Sequence, residues 1–157
     1  MRLYRLTKAR HASEAFTGEG ALLYGGRWNS KGHACVYLAE SVALCQLETL
    51  VHLSDPEEIN SFILYSLDVP DEWVTELTLD ALPADWNNIV PPPALKQLGN
   101  GWLTSQVAPV LLVPSVLSPT ERNALFNPNH PEAKFILERH LDGQPFIMDA
   151  RLFRRPS

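Results

Sequence analysis

Three side chains with catalytic potential lie within residues 25–53 of the sequence. Arg27 follows two glycines, in a loop whose backbone can approach a ligand closely, and its planar guanidinium suits a pyrophosphate or a carboxylate. Tyr37 lies in a short apolar segment, and Glu48 lies in an otherwise apolar predicted helix, where a carboxylate costs free energy without a partner or a function. We expect the three side chains to converge on one cleft. The alternatives are a surface arginine, a core tyrosine and a structural salt bridge to Glu48.

A second polar stretch lies within residues 109–133. Ser115 follows a predicted buried strand and a proline, where a hydroxyl can point into a cleft. The alternative is a turn serine that caps local backbone. His130 lies in the rigid turn Asn-Pro-Asn-His-Pro and can titrate near neutral pH, although an Asx turn explains this turn without any function.

Several common kinds of site are excluded by the sequence. The histidines show no HExxH spacing and the cysteines no paired CxxC spacing, so we predict no metal site. The chain has no GxxxxGK[ST] phosphate loop, no GxGxxG between a strand and a helix, and no GxSxG nucleophile elbow. We therefore expect neither a nucleotide triphosphatase, nor a dinucleotide-binding Rossmann domain, nor an α/β-hydrolase.

Composition indicates one globular domain over residues 1–157, with 45% apolar and 20% charged residues. No segment is long and apolar enough to span a membrane, and the start lacks the pattern of a signal peptide, so we expect a cytoplasmic protein without membrane association. The net charge of −5 and the absence of a sizeable basic cluster disfavour direct binding to nucleic acid. Cys35 and Cys45 lie in apolar surroundings and are predicted to be buried thiols.

Local patterns predict an α+β domain of short elements, in which strands outnumber helices. Alternating or continuous apolar runs predict strands at residues 3–6, 35–39, 61–69, 110–113 and 124–126. Helices are predicted at residues 41–53, with Ser41 as N-cap, at 93–98, and again after Trp102 beyond a break at Gly-Asn-Gly. Residues 17–33 and 71–91 are predicted to be loops. Residues 135–140 and 146–148 are predicted to pair across an Asp-Gly-Gln turn.

Several separated motifs together resemble the RES-domain family, the toxins of RES–Xre toxin–antitoxin modules. The motifs are LYRL, GGRWNSKGHACVYLAES, LETLVHL, LGNGWL, LLVPSVLSPTERNALFNPNHPEA and DARLF, in that order along nearly the whole chain. The arginine, glutamate and serine that name the family match Arg27, Glu48 and Ser115. Tyr37 matches the aromatic residue that the family places in its active cleft.

The resemblance implies an ADP-ribosyltransferase-like fold of split small β-sheets with short helices and with NAD bound between them. NAD is then consumed as a substrate, with no separate cofactor, and the partner is an Xre-like helix-turn-helix antitoxin that covers the active site. A homodimer within that complex is compatible with this picture. In this interpretation Arg27 contacts the NAD phosphates, Tyr37 stacks on nicotinamide and Ser115 binds a phosphate or a ribose. Neighbours of the site with a weaker case are Arg5, Trp28, Asn127 and His130.

Residue chemistry supports the same activity. Cleavage of the nicotinamide–ribose bond passes through a cation at the ribose C1 carbon, which a fixed carboxylate such as Glu48 stabilises, as in glycoside cleavage. We therefore expect NAD to be degraded by hydrolysis or phosphorolysis. Two alternatives stay open: an ADP-ribosyltransferase that modifies a cellular protein, and a non-catalytic binding module on the same fold.

Overall fold

The computed structural model describes residues 1–55 and 61–153. Its strands are β1 (Arg2–Lys8), β2 (Val36–Ala39), β3 (Phe62–Asp68), β4 (Val74–Glu76), β5 (Val110–Pro114), β6 (Arg122–Phe126) and β7 (Leu141–Phe146). Its α-helices are α1 (Glu19–Tyr24), α2 (Val42–Leu50), α3 (Pro93–Ser105) and α4 (Ala133–His140). Short 3-10 turns connect several of them. The predicted α+β class is confirmed.

The sheet is split in its middle. The strand order is β4-β5-β6-β2-β1-β3-β7, and every neighbouring pair is antiparallel except β4 and β5. Strands β1 and β2 share only the pair Tyr4–Ala39, whereas β1 pairs with β3 along its whole length. Four strands therefore form one half and three form the other, and a cleft opens where the halves diverge.

Three apolar clusters hold the helices against this sheet. In the interior strand β5, Val110 and Leu112 pack on one face with Ile136 of α4, while Leu111 and Val113 pack on the other with α3. A third cluster anchors α2 over the β1–β3 half through Leu44 and Cys45, which pack with the residues Leu6, Ala39, Phe62, Leu64 and Met148. Both faces of the sheet are thus covered, which explains why β5 is apolar throughout.

The predicted N-cap of α2 is confirmed, because the Ser41 hydroxyl accepts a hydrogen bond from the Leu44 amide at 3.1 Å. The apolar residues of this helix suggest one buried face, and the structure buries only part of it. Leu44 is fully buried, but Leu47 and Val51 are 45% and 57% exposed. One side of the helix contacts the sheet, and no element of the described chain covers the other side fully.

The predicted break of the third helix was wrong, since α3 runs unbroken through Gly99, Asn100 and Gly101. A Cβ at Gly99 would lie 1.7 Å from the carbonyl oxygen of Trp28. This glycine therefore lets the helix approach the Trp28 backbone closely, and its function is packing rather than helix termination.

The predicted C-terminal hairpin was also wrong. Residues 135–140 belong to α4, and the following residues form β7, which pairs with β3 at the edge of the sheet. Two further elements escaped prediction: α1 within the glycine-rich segment and the short strand β4 within residues 71–91. No helix in the described ranges is long and apolar enough to cross a membrane.

Candidate active site

A small cavity lies where β1 and β2 separate. Its volume is about 200 Å³, and we call it the Glu48 cavity after the carboxylate that lines it. Strands β1 and β2 supply one wall, helix α2 supplies another, and β6 supplies Asn123. The lining residues are Arg5, Leu6, Tyr37, Leu38, Ala39, Cys45, Glu48, Thr49, His52 and Asn123.

Glu48 is held at one of its two carboxylate oxygens. Its Oε1 accepts hydrogen bonds from the Asn123 side-chain amide at 2.6 Å and from the Ser115 hydroxyl at 3.0 Å. Its Oε2 has no hydrogen-bond partner within residues 1–55 and 61–153. Burial lowers the pKa of the Arg27 guanidinium, and Glu48 lies close enough to offset part of that decrease. The structure therefore presents an oriented carboxylate with one oxygen available at a cavity.

Ser115 is fully buried and fully hydrogen-bonded, immediately after β5. Its hydroxyl donates to Glu48 and accepts from the amides of Leu117 and Ser118, both at 3.2 Å. One donor and two acceptor positions exhaust the capacity of a hydroxyl. In this structure Ser115 therefore bonds to Glu48 and to the local turn, as the turn-capping alternative expects in part. Its contact with a phosphate or a ribose stays a prediction.

Tyr37 has an anchored hydroxyl. It donates to the side-chain oxygen of Asn29 at 2.6 Å and accepts from the Trp28 amide at 3.1 Å. Burial raises the pKa of Tyr37, so the phenol stays neutral at physiological pH. A Cβ at Gly26 would lie 2.5 Å from this hydroxyl, so the glycine allows the loop to close over it. The hydroxyl is structural, and Tyr37 is one of the residues that line the Glu48 cavity.

Arg27 lies close to this site but outside the lining of the cavity. Its guanidinium donates to the carbonyl oxygens of Trp86 at 3.1 Å and Ile89 at 3.3 Å. Burial lowers the pKa of Arg27, whereas Glu48 and Tyr37 raise it. Arg27 thus connects the loop before α3 to the cleft. Its hydrogen bonds to the two carbonyl oxygens use N–H groups that could otherwise bind an anionic ligand.

Arg5 spans the split between the two halves of the sheet. Its Nη1 donates to the Tyr37 carbonyl oxygen at 2.9 Å, while its Nε is buried without a partner. Burial lowers the pKa of Arg5, and no carboxylate among the described residues forms an ion pair with it. A partly buried cation without a counter-ion among the described residues favours an anionic ligand.

A larger cavity of about 580 Å³ adjoins the Glu48 cavity. The two share Arg5, Leu6, Thr49 and His52, and the larger one continues along β1, the turn after it and α1. Arg5 therefore stands at the junction of two connected spaces, one of which contains Glu48.

Three predicted neighbours of the site have other surroundings. Trp28 is 2% exposed and packs with Trp102 and Leu95. Asn127 is buried and donates to the Leu103 carbonyl oxygen at 3.0 Å. The His130 Nε2 lies 3.0 Å from the Gln106 carbonyl oxygen. None of the three lines either cavity.

Asn123 and Asn29 are the residues that sequence reasoning missed. Asn123 contacts Glu48, and Asn29 is fully buried, with its amide bonded to carbonyl oxygens of Ala21, Ser30 and His33. A buried asparagine signals a network, but the sequence does not show which partner it meets. Within the described part of the chain, no cluster of three or more His, Cys, Asp or Glu residues can hold a metal ion.

Comparisons with known proteins show which proteins this chain is similar to. The RES domain family matches residues 2–149. The chain is 41% identical over 152 residues to "Toxin Res" of Yersinia enterocolitica, covering 97% of this chain and 99% of that protein. It is 39% identical over 153 residues to "Prs ADP-ribosylating toxin" of a Sphingobium species, covering 95% and 94% of the two chains.

A solved structure shares the fold. The M. tuberculosis MbcT–MbcA toxin–antitoxin complex contains a chain that superposes with a TM-score of 0.72 at 22% identity, covering 97% of this chain and 86% of that one. The family match spans almost the whole described chain, and it includes Arg27, Tyr37, Glu48 and Ser115. The chain therefore belongs to the RES domain family.

Proposed function

We propose that this protein is the toxin of a toxin–antitoxin pair and that it depletes NAD by breaking the nicotinamide–ribose bond. The family membership and the relatives named as toxins support the toxin role. The observation that carries the chemistry is the Glu48 carboxylate beside a cavity. Two donors fix one of its oxygens, and the other oxygen has no hydrogen-bond partner among the described residues.

The bond cleavage needs little acid assistance. When the bond between the ribose C1 carbon and the pyridinium nitrogen breaks, its electron pair leaves with nicotinamide, which departs as a neutral base. The ribose becomes an oxocarbenium-like cation, and a preorganised carboxylate stabilises that charge. Glu48 supplies the carboxylate, so this step does not require a histidine as an acid.

The shape and charge of the cleft suit a dinucleotide. The Glu48 cavity, at about 200 Å³, is smaller than a usual ligand site, but with the adjoining 580 Å³ it reaches the usual range of about 300–1,000 Å³. We propose that the nicotinamide ribose lies by Glu48, that Tyr37 packs against nicotinamide and that the diphosphate lies by Arg5. Arg27 contacts a phosphate after releasing the carbonyl oxygens of Trp86 and Ile89.

The acceptor of the ADP-ribosyl group distinguishes two versions of this function. Water or phosphate attacks the C1 carbon and loses a proton in hydrolysis or phosphorolysis. A protein side chain takes the same place in ADP-ribosylation, and the relative named "Prs ADP-ribosylating toxin" favours this version as the second candidate. A non-catalytic binding module is disfavoured, because all four residues that match the family's cleft are intact.

We further propose that the protein acts in the cytoplasm and that an Xre-like helix-turn-helix antitoxin covers the cleft. The structural neighbour comes from a toxin–antitoxin complex, which supports a protein partner. NAD is the substrate in this proposal, and no separate cofactor is needed. A homodimer of the toxin within the complex is compatible with it.

Product analysis tests the proposal directly. Purified protein is incubated with NAD, with and without phosphate, and with NAD labelled in the adenylate half plus cell extract. We expect free nicotinamide together with ADP-ribose, or with ADP-ribose 1″-phosphate when phosphate is present. Label on a protein band would favour the transferase, and intact NAD in all three incubations would contradict the proposed function.

A further inference from the structure

Asn123 lies near the start of β6, the strand between β5 and β2. It lies on β6, opposite Ala39 of β2 and Val113 of β5. Its side-chain nitrogen lies 2.6 Å from the Glu48 Oε1, which is at the short end for a charge-assisted hydrogen bond. An interior strand of the four-stranded half therefore reaches a carboxylate on α2.

The orientation of this amide is settled by chemistry. The reverse orientation would place the Asn123 Oδ1 against a carboxylate oxygen, where two acceptors repel each other. With the nitrogen toward Glu48, the Oδ1 atom is buried without a hydrogen-bond partner in the part of the chain that the structure describes. An unpaired buried carbonyl costs free energy that a leucine of similar size would not. The amide oxygen is therefore disadvantageous for stability at this position, and what the side chain contributes is its donor to Glu48.

We infer that Asn123 is a positioning residue for Glu48. Asn123, near the start of β6, and Ser115, just after β5, both donate to Oε1 of Glu48. These two hydrogen bonds fix the rotation of the carboxylate group and leave Oε2 as the oxygen that contacts the ribose. This inference rests on the proposed function for its effect on turnover. Asn123 acts through Glu48 and is not itself required to contact the reacting atoms.

The Asn123→Leu variant separates this role from a structural one. Leucine removes the donor and also removes the unpaired carbonyl. The two changes affect the melting temperature in opposite directions, so the variant should remain folded at the assay temperature. The kcat for NAD cleavage should fall about 10- to 100-fold, while the Kd for NAD changes less than about threefold. A kcat within twofold of wild type in a folded variant would overturn the inference.

A neighbouring residue provides the matched control. The Arg122 side chain, one position earlier on β6, bonds to Glu40 and Glu76 instead of Glu48. Arg122→Gln should change stability without changing kcat more than about twofold. If Asn123→Leu fails to fold, Asn123→Ala is measured in its place with the same thresholds. A loss of kcat as large in Arg122→Gln as in the Asn123 variant would count against a specific role.

A second readout does not depend on turnover. In proton–nitrogen NMR spectra of the wild type, the Asn123 side-chain amide proton bonded to Glu48 should resonate downfield of the other asparagine amides. In Glu48→Gln it should move upfield, because the charge-assisted bond is lost. Absence of both effects would overturn the inference. If the wild type leaves NAD intact but the NMR effects are present, the proposed function fails while the contact that positions Glu48 stands.

Discussion

The two ends of strand β6 carry similar polar residues with opposite surroundings. At its start, Asn123 donates a hydrogen bond to Glu48, and both residues line a cavity. The side-chain oxygen of Asn123 and one carboxylate oxygen of Glu48 have no protein partner among the described residues. After its end, Asn127 donates to Leu103 and accepts from the Asn129 amide, so both ends of its side chain are bonded.

The difference shows how a site is distinguished from a polar turn. A turn satisfies its own hydrogen bonds and so stabilises the fold. The start of β6 leaves polar atoms unsatisfied, which costs stability and indicates that they have another function. His130 belongs with the first kind, because its Nδ1 accepts from the Glu132 amide and its Nε2 contacts the Gln106 carbonyl oxygen.

The largest effect is expected from Glu48→Gln. The amide keeps the size of the side chain but removes the charge that stabilises the cationic ribose, so NAD turnover should fall about 10²- to 10³-fold. Nicotinamide release under saturating NAD measures this, with circular dichroism as the folding control. Activity within a few-fold of wild type would show that Glu48 is not catalytic, and the start of β6 would then have no more part in catalysis than its end.

Arg27→Lys should have the next largest effect. A lysine cannot reproduce the planar fork that reaches Trp86 and Ile89, or a phosphate in their place. We expect the KM for NAD to rise about tenfold, with a smaller change in kcat. Steady-state kinetics measures both constants, and an unchanged KM would show that Arg27 only holds its loop.

Ser115→Ala should reduce kcat about tenfold, since it removes one of the two donors to Glu48 while Asn123 remains. The loss of its contacts with the amides of Leu117 and Ser118 should also lower the melting temperature. If KM rises and kcat is unchanged, Ser115 binds the substrate instead of orienting Glu48.

Asn127→Ala tests the other end of β6. It leaves the Leu103 carbonyl without its donor, so the free energy of unfolding should fall by about 1–3 kcal/mol. The specific activity of the folded fraction should stay within about twofold of wild type, as should that of His130→Ala. Denaturant titration and NAD assays measure the two quantities. A tenfold loss of activity in either variant would place that end of β6 in the site as well.

The smallest effect concerns Cys45, a rival nucleophile because it lines the Glu48 cavity. Burial raises the pKa of its thiol from 9.0 to about 11, so the thiol is neutral at physiological pH and Cys45→Ala should keep near-normal turnover.

The same pKa shift predicts how folding stability depends on pH. Because the thiol ionises at a lower pH in the unfolded chain than in the folded chain, the contribution of Cys45 to folding stability should be constant below pH 9 and should fall as pH rises toward 11. Denaturant titrations at pH 8 and pH 10 should show a smaller decrease in the variant, and an equal decrease would contradict the assignment.

The sequence by itself determined the features that depend on neighbours along the chain. The apolar runs defined β2, β3, β5 and β6, Ser41 marked the start of α2, and Glu48 stood out as a carboxylate in an apolar helix. These features follow from the periodicity of helices and strands and from the preference of a hydroxyl for the first turn of a helix. The family motifs identified Arg27, Tyr37 and Ser115 by their type and order.

Only the tertiary structure decided the features that depend on contacts between distant segments. Gly99 is a packing residue inside α3 because the Trp28 backbone lies against it, and residues 141–146 form β7 because they pair with the edge of β3. Asn123 meets Glu48 across 75 positions of sequence, so no local pattern could reveal it. Propensity acts over a few residues, whereas packing and hydrogen-bond partners are set where the folded chain brings remote atoms within about 3 Å of each other.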